Sequence, residues 1–338
     1  MILVALLAAA AAPQPGELKT YRDWIVGCDN GLACHATSLV PEGEQRGEEE
    51  AMLSVMRGPG VSALPVIAVG TEDPRAALFA DGKRLPVRLE SGSNGVVVRP
   101  ADITTMLAAL RSARRLEIRS KGEKERGGVS LAGVSAALLY MDERQRRAGT
   151  VTALVRPGRR GPGTVPPPPS LPRVTEVRPT GRAAPAGSIA PARIAALRTA
   201  ADCDPDLPLD DGGVETHRLD DRNTLTLIRC WMGAYNATSL VLVSRRPDGG
   251  DARPARFDYN ASAGERSGAD VPPDGAYWDE EKGRLASFFK GRGLGDCGSG
   301  QQWAWDGAAF RLIQAEAMGE CRGSTDYITT WRAQAVQR

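Results

Sequence analysis

The sequence predicts a mainly β, α+β fold: a β-sandwich-like N-terminal domain with two helices and a C-terminal antiparallel β domain, joined by a proline-rich linker. Three observations predict it. Short runs of alternating apolar residues recur along the chain, punctuated by Asn-Gly and Asp-Gly turns. Only two clear stretches of the first half carry a helical stripe instead. Between Arg156 and Arg193 the composition changes abruptly to ten prolines, four of them consecutive at 166–169, with no aromatic residue. Such a segment cannot form a core and is expected to be extended. A length of 338 residues, 42% of them hydrophobic, suits two domains better than one.

The chain opens on an apolar, alanine-dominated run from Ile2 to Ala12 that breaks at Pro13, Gln14, Pro15 and Gly16. This fits the apolar core and small-residue cleavage site of a secretory signal, here residues 1–12, although no basic residue precedes it. Pro13 disfavours a cut directly after Ala12, which points to Ala10 or Ala11. A dozen residues cannot span a bilayer, and no later stretch reaches the length a membrane helix needs. The mature chain is therefore expected to be free and periplasmic or secreted, not membrane-spanning. In an oxidising compartment the six cysteines Cys28, Cys34, Cys203, Cys230, Cys297 and Cys321 read as disulfide partners.

Within the first domain, 17–155, alternation from Asp23 to Cys28 places Trp24, Val26 and Cys28 on one strand face. Asn30-Gly31 supplies a hairpin turn, and a loop of Asn30 to Leu32 sets Cys28 opposite Cys34. Further strand signals run from Met52 to Met56, Leu64 to Val69, Ala77 to Ala80, Leu85 to Leu89 after the Asp81-Gly82 turn, and Gly95 to Arg99. One helix begins at Asp102 as N-cap and puts Ile103, Met106, Leu107 and Leu110 on one stripe. A second covers about 134–147 and stops on basic residues before Gly149.

The linker, 156–193, carries seven basic residues against one acidic, while the chain beyond it carries 17 against 22. The arginines keep such a tether solvated; the functional alternative is contact with anionic lipid head groups or cell-wall carboxylates. The second domain, 200–338, repeats the β pattern. Thr224 to Trp231 turns at 233–236 into Ser239 to Ser244, and Gln302 to Trp305 turns at Asp306-Gly307 into Ala309 to Ile313. Confining disulfides within domains leaves Cys28 with Cys34 and three choices among the other four; Cys203 with Cys230 and Cys297 with Cys321 are favoured.

No arrangement of residues rises to an active site, and no cofactor or metal is expected. The only histidines, His35 and His217, lack zinc-ligand spacing and read as surface residues. Asp202, Asp204 and Asp206 imitate the start of a calcium loop, but Leu207 occupies the position that needs glycine. Gly293, Gly295 and Gly298 match a dinucleotide fingerprint in letters only, because Cys297 sits inside it and an aromatic strand follows. Ser287 and Lys290 match S-x-x-K without its partner motifs, and read as a surface helix end. The basic cluster from Arg111 to Arg126 lacks interleaved aromatics, so nucleic acid is not expected. Tyr235, Arg292, Trp303 and Trp305 remain as a candidate interaction surface, the two tryptophans being equally suited to a core.

The spaced residues Trp24, Cys28, Asp29, Asn30, Cys34 and Ala36, the block Val129 to Leu138 with Asp142 and Gln145, and Thr152 to Leu154 resemble the bacterial envelope family called domain of unknown function 1176. Later blocks match too: Cys230 with Gly233 to Asn236, Lys290 to Gly298, Trp305 to Gly307 with Phe310, and Cys321 to Gly323. The match spans nearly the whole mature chain, but its close, Tyr327 to Trp331, departs from the pattern. The resemblance implies no catalytic residues. More weakly, the first domain is similar to the invasion-associated locus B family, which implies a theme of envelope integrity or host contact. The leading expectation is a non-enzymatic binding module for an envelope protein or polymer. The alternatives are a peptidoglycan-directed hydrolase or transferase, tested at Asp296 or Ser287, and an inhibitor of a hydrolase such as lysozyme that inserts the Gly291 to Gly300 loop.

Overall fold

The computed structural model describes residues 12–44, 51–93, 95–120, 127–180, 189–210, 212–261 and 271–338. Of the segment read as a signal, only Ala12 falls within them, and part of the basic cluster before Arg126 also lies outside the described residues. The protein is mainly β, with antiparallel sheets of seven, four, four and five strands and one parallel two-stranded pair.

The first body is built on a meander of β1 (Leu18–Tyr21), β2 (Trp24–Cys28), β3 (Cys34–Ser38), β4 (Leu53–Arg57) and β5 (Pro65–Val69). That sheet is extended beyond β5 by β9 (Gly95–Val98) and β8 (Leu89–Gly92). A second sheet has the order β11 (Gly128–Ser130), β10 (Arg115–Arg119), β6 (Ala77–Ala80), β7 (Lys83–Arg84). The period of two sorts the residues: Trp24, Val26, Cys28, Cys34, Ala36, Leu53, Val55, Ile67 and Val69 all enter one core, joined by Leu78, Leu116 and Ile118 of the second sheet. The β2–β3 hairpin turns as its sequence demands. Leu32 adopts φ 63°, Asp29 Oδ1 accepts from the amides of Gly31 and Ala33 at 2.8 and 2.9 Å, and Cys28 pairs with Cys34.

Two expectations for this body need correction. Leu85 to Leu89 is not the return strand, because Pro86 interrupts it; Lys83 and Arg84 pair back on Ala80 and Phe79, and pairing ends with the Leu85 amide on Leu78 O at 2.8 Å. Asp102 stands at the N-cap of α1 (Ile103–Ser112) without capping it, since its carboxylate accepts from the amide of Arg88 instead. Both helices close over the core as their stripes predict, α1 through Met106 and Leu110 and α2 (Val134–Arg144) through Ala137, Leu138 and Met141. Gly133 at the start of α2 has φ 98°, and a Cβ there would lie 1.7 Å from the carbonyl oxygen of Tyr21. Only glycine fits both conditions.

The second body packs a four-stranded sheet, β13 (Val214–Arg218), β14 (Thr224–Met232), β15 (Ala237–Ser244) and β16 (Arg253–Pro254), against a five-stranded one. The latter runs β17 (Ala276–Asp279), β18 (Arg284–Lys290), β19 (Gly298–Trp305), β20 (Phe310–Met318), β21 (Ile328–Arg332). Its core gathers Leu225, Leu227, Val241, Val243, Phe257, Leu285, Trp303, Trp305, Phe310 and Leu312. Disulfides join Cys28 to Cys34, Cys203 to Cys230 and Cys297 to Cys321. The second of them ties the end of α3 (Pro191–Ala200), a helix opened by Pro191 that the sequence reading missed, to β14.

The proline-rich stretch is extended but is no bare tether. Gly158 donates to Thr150 O at 2.9 Å on the first body. Further on, β12 (Arg173–Glu176) pairs in parallel with the closing strand β22 (Gln334–Gln337). Glu176 is buried there between Arg284, at 2.7 Å, and Arg178, at 3.1 Å. Burial alone would raise its carboxyl pKa, but these two guanidinium groups outweigh burial and hold it below the ordinary value.

The two bodies are docked. β2 is buried on both faces, the mark of a strand covered by a second layer. Its Ile25 and the nearby Leu39 meet Met318, Ile328 and the Cys297 to Cys321 disulfide region of the second body. Around this contact, Arg322 donates to Val40 O at 2.8 Å, to Arg22 O at 2.6 Å and to Asp23 at 2.6 Å. Arg332 pairs with Asp29, and Asn30 exchanges side-chain hydrogen bonds with the backbone of Arg332 at 2.9 and 2.8 Å. Three of the residues that carry the family resemblance, Asp29, Asn30 and Arg322, thus work as a clasp between the bodies.

Candidate functional site

The structure separates the residues expected to form one interaction surface. Trp303 is 0% and Trp305 5% exposed. Their neighbours in the core include Phe257 and Phe310, and their indole N–H groups donate to Tyr259 O at 2.9 Å and to Asp220 at 2.7 Å. Both are core residues, since a large ring with one donor is fully satisfied there. Tyr235 is exposed at the 233–236 turn, where its hydroxyl donates to Gly291 O at 3.3 Å. Arg292 is spent on Asp296 through two nitrogens, and Asp296 also accepts from the amide of Gly323 at 2.7 Å. The Arg292 hydrogen bond, joined by that amide and the charge of Arg292, holds the Asp296 carboxyl below its ordinary pKa. The 291–300 segment is therefore a pinned element of the clasp.

The hydrolase alternative loses its residues in the same way. Ser287 and Lys290 lie on strand β18, where a spacing of three puts them on opposite faces, in place of the helix end expected from sequence. Ser287 is buried, with no hydrogen-bond partner for its hydroxyl. Among the described residues no group of three or more His, Cys, Asp or Glu side chains could hold a metal ion. None of the described helices is long and apolar enough to cross a membrane.

Two of the concave sites bear on function. The first is a groove of about 520 Å³ along the seam, lined by His35, Met52, Ser54, Met56, Asp326 and Tyr327 among others. His35 and Ser54 project from β3 and β4 on the face opposite the core, and Asp326 comes from the second body. His35 Nε2 lies 3.0 Å from Asp326 Oδ2. The Ser54 hydroxyl donates to the same carboxylate oxygen and stands 3.1 Å from Thr37 Oγ1. Burial alone would raise the Asp326 pKa; the hydrogen bond and charge of His35 and the two hydroxyls outweigh it and lower it. The order of groups decides the chemistry. A nucleophilic serine needs the imidazole between itself and the carboxylate, whereas here the carboxylate stands in the middle. The cluster is an interbody contact without a route for activating Ser54. The sequence reading placed His35 on the surface and missed its partners entirely.

The second site is an apolar groove of about 440 Å³ on the first body. One wall is α1 through Ile103 and Leu107, another is the start of β5 with Leu64, Pro65 and Val66, and the third is the 151–157 segment. Leu64 is 72% and Val151 53% exposed at its rim. A volume of this size, mostly apolar with few polar groups, falls in the range of small-molecule sites. Its charged groups are Arg57 and Arg111, which brace the third wall by donating to Thr152 O and Leu154 O, each at 2.7 Å. Arg57 is only 4% exposed. Burial, with the like charge of Arg147 nearby, pushes its pKa down to about 10 against the pull of Asp142. Asp142 is 3.9 Å from Arg57 Nη1 and is occupied by the amides of Leu154 and Val155. Sequence had offered Leu107 only as a core stripe; in the structure it lines the groove together with Pro65, Pro100 and Pro157.

The family model described as protein of unknown function (DUF1176) matches residues 18–334. The uncharacterized protein YpfG of Escherichia coli (strain K12) is 28% identical over 336 residues, covering 93% of this chain and 92% of that protein. Among solved structures, invasion associated protein B of Bartonella henselae is similar at 18% identity and a TM-score of 0.26, over 38% of this chain and 99% of that one.

Proposed function

This chain belongs to the family of proteins of unknown function DUF1176, and, with no activity to inherit from it, we propose that it is a non-enzymatic binding protein of the bacterial cell envelope. The observation that carries this reading is the open apolar groove between α1, β5 and the 151–157 segment. Exposed Leu64 and Val151 at its mouth leave apolar surface that folding has not used. The polar clusters around Asp296, Asp326 and Arg322 are bonded into turns and the seam, where they serve architecture. An envelope location is supported by the apolar run that opens the sequence and by three disulfides among six cysteines.

The test is titration of the full oxidised chain with an apolar dye that brightens on leaving water, such as Nile red. Saturable binding to one site, lost in a Leu64→Asp, Val151→Asp double variant of unchanged far-UV circular dichroism, supports the reading. Dye binding that is absent, or indifferent to this pair, overturns it. Both side chains lie on the surface, so the substitutions leave the core intact.

A further inference from the structure

Resting on that reading, we infer that the groove takes a single-chain amphiphile with a carboxylate head group, its acyl chain lying between α1 and the 151–157 segment and its head at Arg57 and Arg111. The two guanidinium groups brace carbonyls only two residues apart, Thr152 and Leu154, which places both at one part of the groove. Arg57 donates through Nε to Ala63 O at 3.0 Å and through Nη1 to Thr152 O. These bonds engage Nε and Nη1 of a guanidinium that is buried and lines the groove. Arg111 uses only Nη1 in this way. Donors therefore remain on both groups, and a carboxylate is the acceptor whose planar fork matches them.

Charge points the same way. Arg57, Arg111 and Arg147 all pack on the 150–154 segment, Arg147 through Thr152 Oγ1 at 3.1 Å. Asp142 is the one acid among these partners, and its oxygens already accept two backbone amides. With Arg57 and Arg147 buried against Asp142 alone and Arg111 exposed beside them, the site holds an excess of positive charge, a condition that an anion relieves and a cation worsens. An acyl chain suits the walls better than a peptide does. The polar atoms of the 152–154 wall are already committed, with Thr152 O to Arg57, Leu154 O to Arg111 and Leu154 N to Asp142. A peptide would bring backbone amides that this wall cannot pair, whereas an alkyl chain brings none.

The experiment measures binding of dodecanoate, dodecanol and dodecylammonium to the full oxidised chain by displacement of Nile red, and repeats it with Arg111→Gln. Dodecanoate is expected to bind at least tenfold more tightly than dodecanol, with dodecylammonium weakest. Each added methylene strengthens binding about fourfold until the groove is filled. Arg111→Gln lowers dodecanoate affinity about ten- to hundredfold and leaves dodecanol unchanged. Arg111 is exposed, so this variant folds where a change at buried Arg57 endangers the core. Equal binding of acid and alcohol, or acid binding indifferent to Arg111→Gln, overturns the inference while dye binding keeps the groove. Capture of an apolar peptide with a free C-terminus, but neither its amide nor dodecanoate, overturns the acyl ligand in favour of a peptide end. Absence of all binding, dye included, removes the binding reading itself.

Discussion

Arg322 is the single side chain on which the docking of the two bodies most depends, and Arg322→Ala measures how much. Its guanidinium makes three hydrogen bonds into the first body, two of them to backbone carbonyls and the third an ion pair in which the side chains of Arg322 and Asp23 are 17% and 14% exposed. An exposed pair of this kind contributes at most about 1 kcal/mol. Breaking a fully buried one costs about 3–5 kcal/mol. This pair lies nearer the buried limit, but Asp23 keeps the hydroxyl of Ser130 at 2.7 Å and is not left bare. The expected loss is therefore about 2–3 kcal/mol. Arg322→Lys, which keeps the charge but not the three-way fork, should lose about half as much. Urea unfolding of the oxidised chain at neutral pH, followed by tryptophan fluorescence and far-UV circular dichroism, reads the change. Because the seam couples the bodies, the alanine variant should also split one transition into two, so that the probes no longer coincide. A shift below about 0.5 kcal/mol with coincident transitions would refute the clasp.

Three further outcomes are expected. Asp326 has a folded pKa below its unfolded value, so its contribution is fully present above about pH 4 and is lost as pH falls through the lower folded value. Asp326→Asn should accordingly flatten the acid side of a stability-against-pH curve, and an unchanged slope would count against the seam cluster. Serine at both Cys297 and Cys321 opens a crosslink with a sequence separation of 24 and should cost about 3 kcal/mol in denaturant, a loss that vanishes when wild type is compared under reduction. Trp303→Ala should cost about 3–5 kcal/mol, because a fully buried ring and its hydrogen bond to Tyr259 O are removed together. A loss under 1 kcal/mol would return Trp303 to the surface.

What could be read from the sequence is local in origin. Asn30-Gly31, the six-residue spacing of Cys28 and Cys34, and alternation through Trp24, Val26 and Cys28 define a hairpin without reference to the rest of the chain. The helical stripes of Ile103 to Leu110 and of α2 are equally self-contained. Failures occur where a distant partner decides. His35 looks like any half-exposed strand residue until Asp326, 291 positions away, is placed against it. Arg292 looks available until Asp296 and Gly323 are seen to occupy its neighbourhood. Ser287 to Lys290 has no periodicity of its own, and pairing with β17 and β19 makes it strand. The groove was invisible for a related reason. Its walls come from three separate segments, and nothing in a linear pattern distinguishes Leu64 unburied from Leu64 in a core.

The seam also has a consequence for the order in which the molecule assembles. Its contacts join opposite ends of the chain: Thr20 with Glu320 and Asn30 with Arg332 lie 300 and 302 positions apart. Closing a loop that long from a disordered chain costs about 5 kcal/mol in entropy. The toll shrinks once each body has collapsed around its own core and shortened the intervening path. The seam is therefore the last thing to form. A chain emerging from its N-terminus waits with the outer face of β2, β3 and β4 uncovered until nearly the final strand arrives. That waiting face presents His35, Thr37 and Ser54 interspersed with Ile25, Leu39, Met52 and Met56. A wholly apolar seam would leave the half-made protein adhesive, whereas one broken up by polar side chains lets the first body stand in water until its partner closes over it.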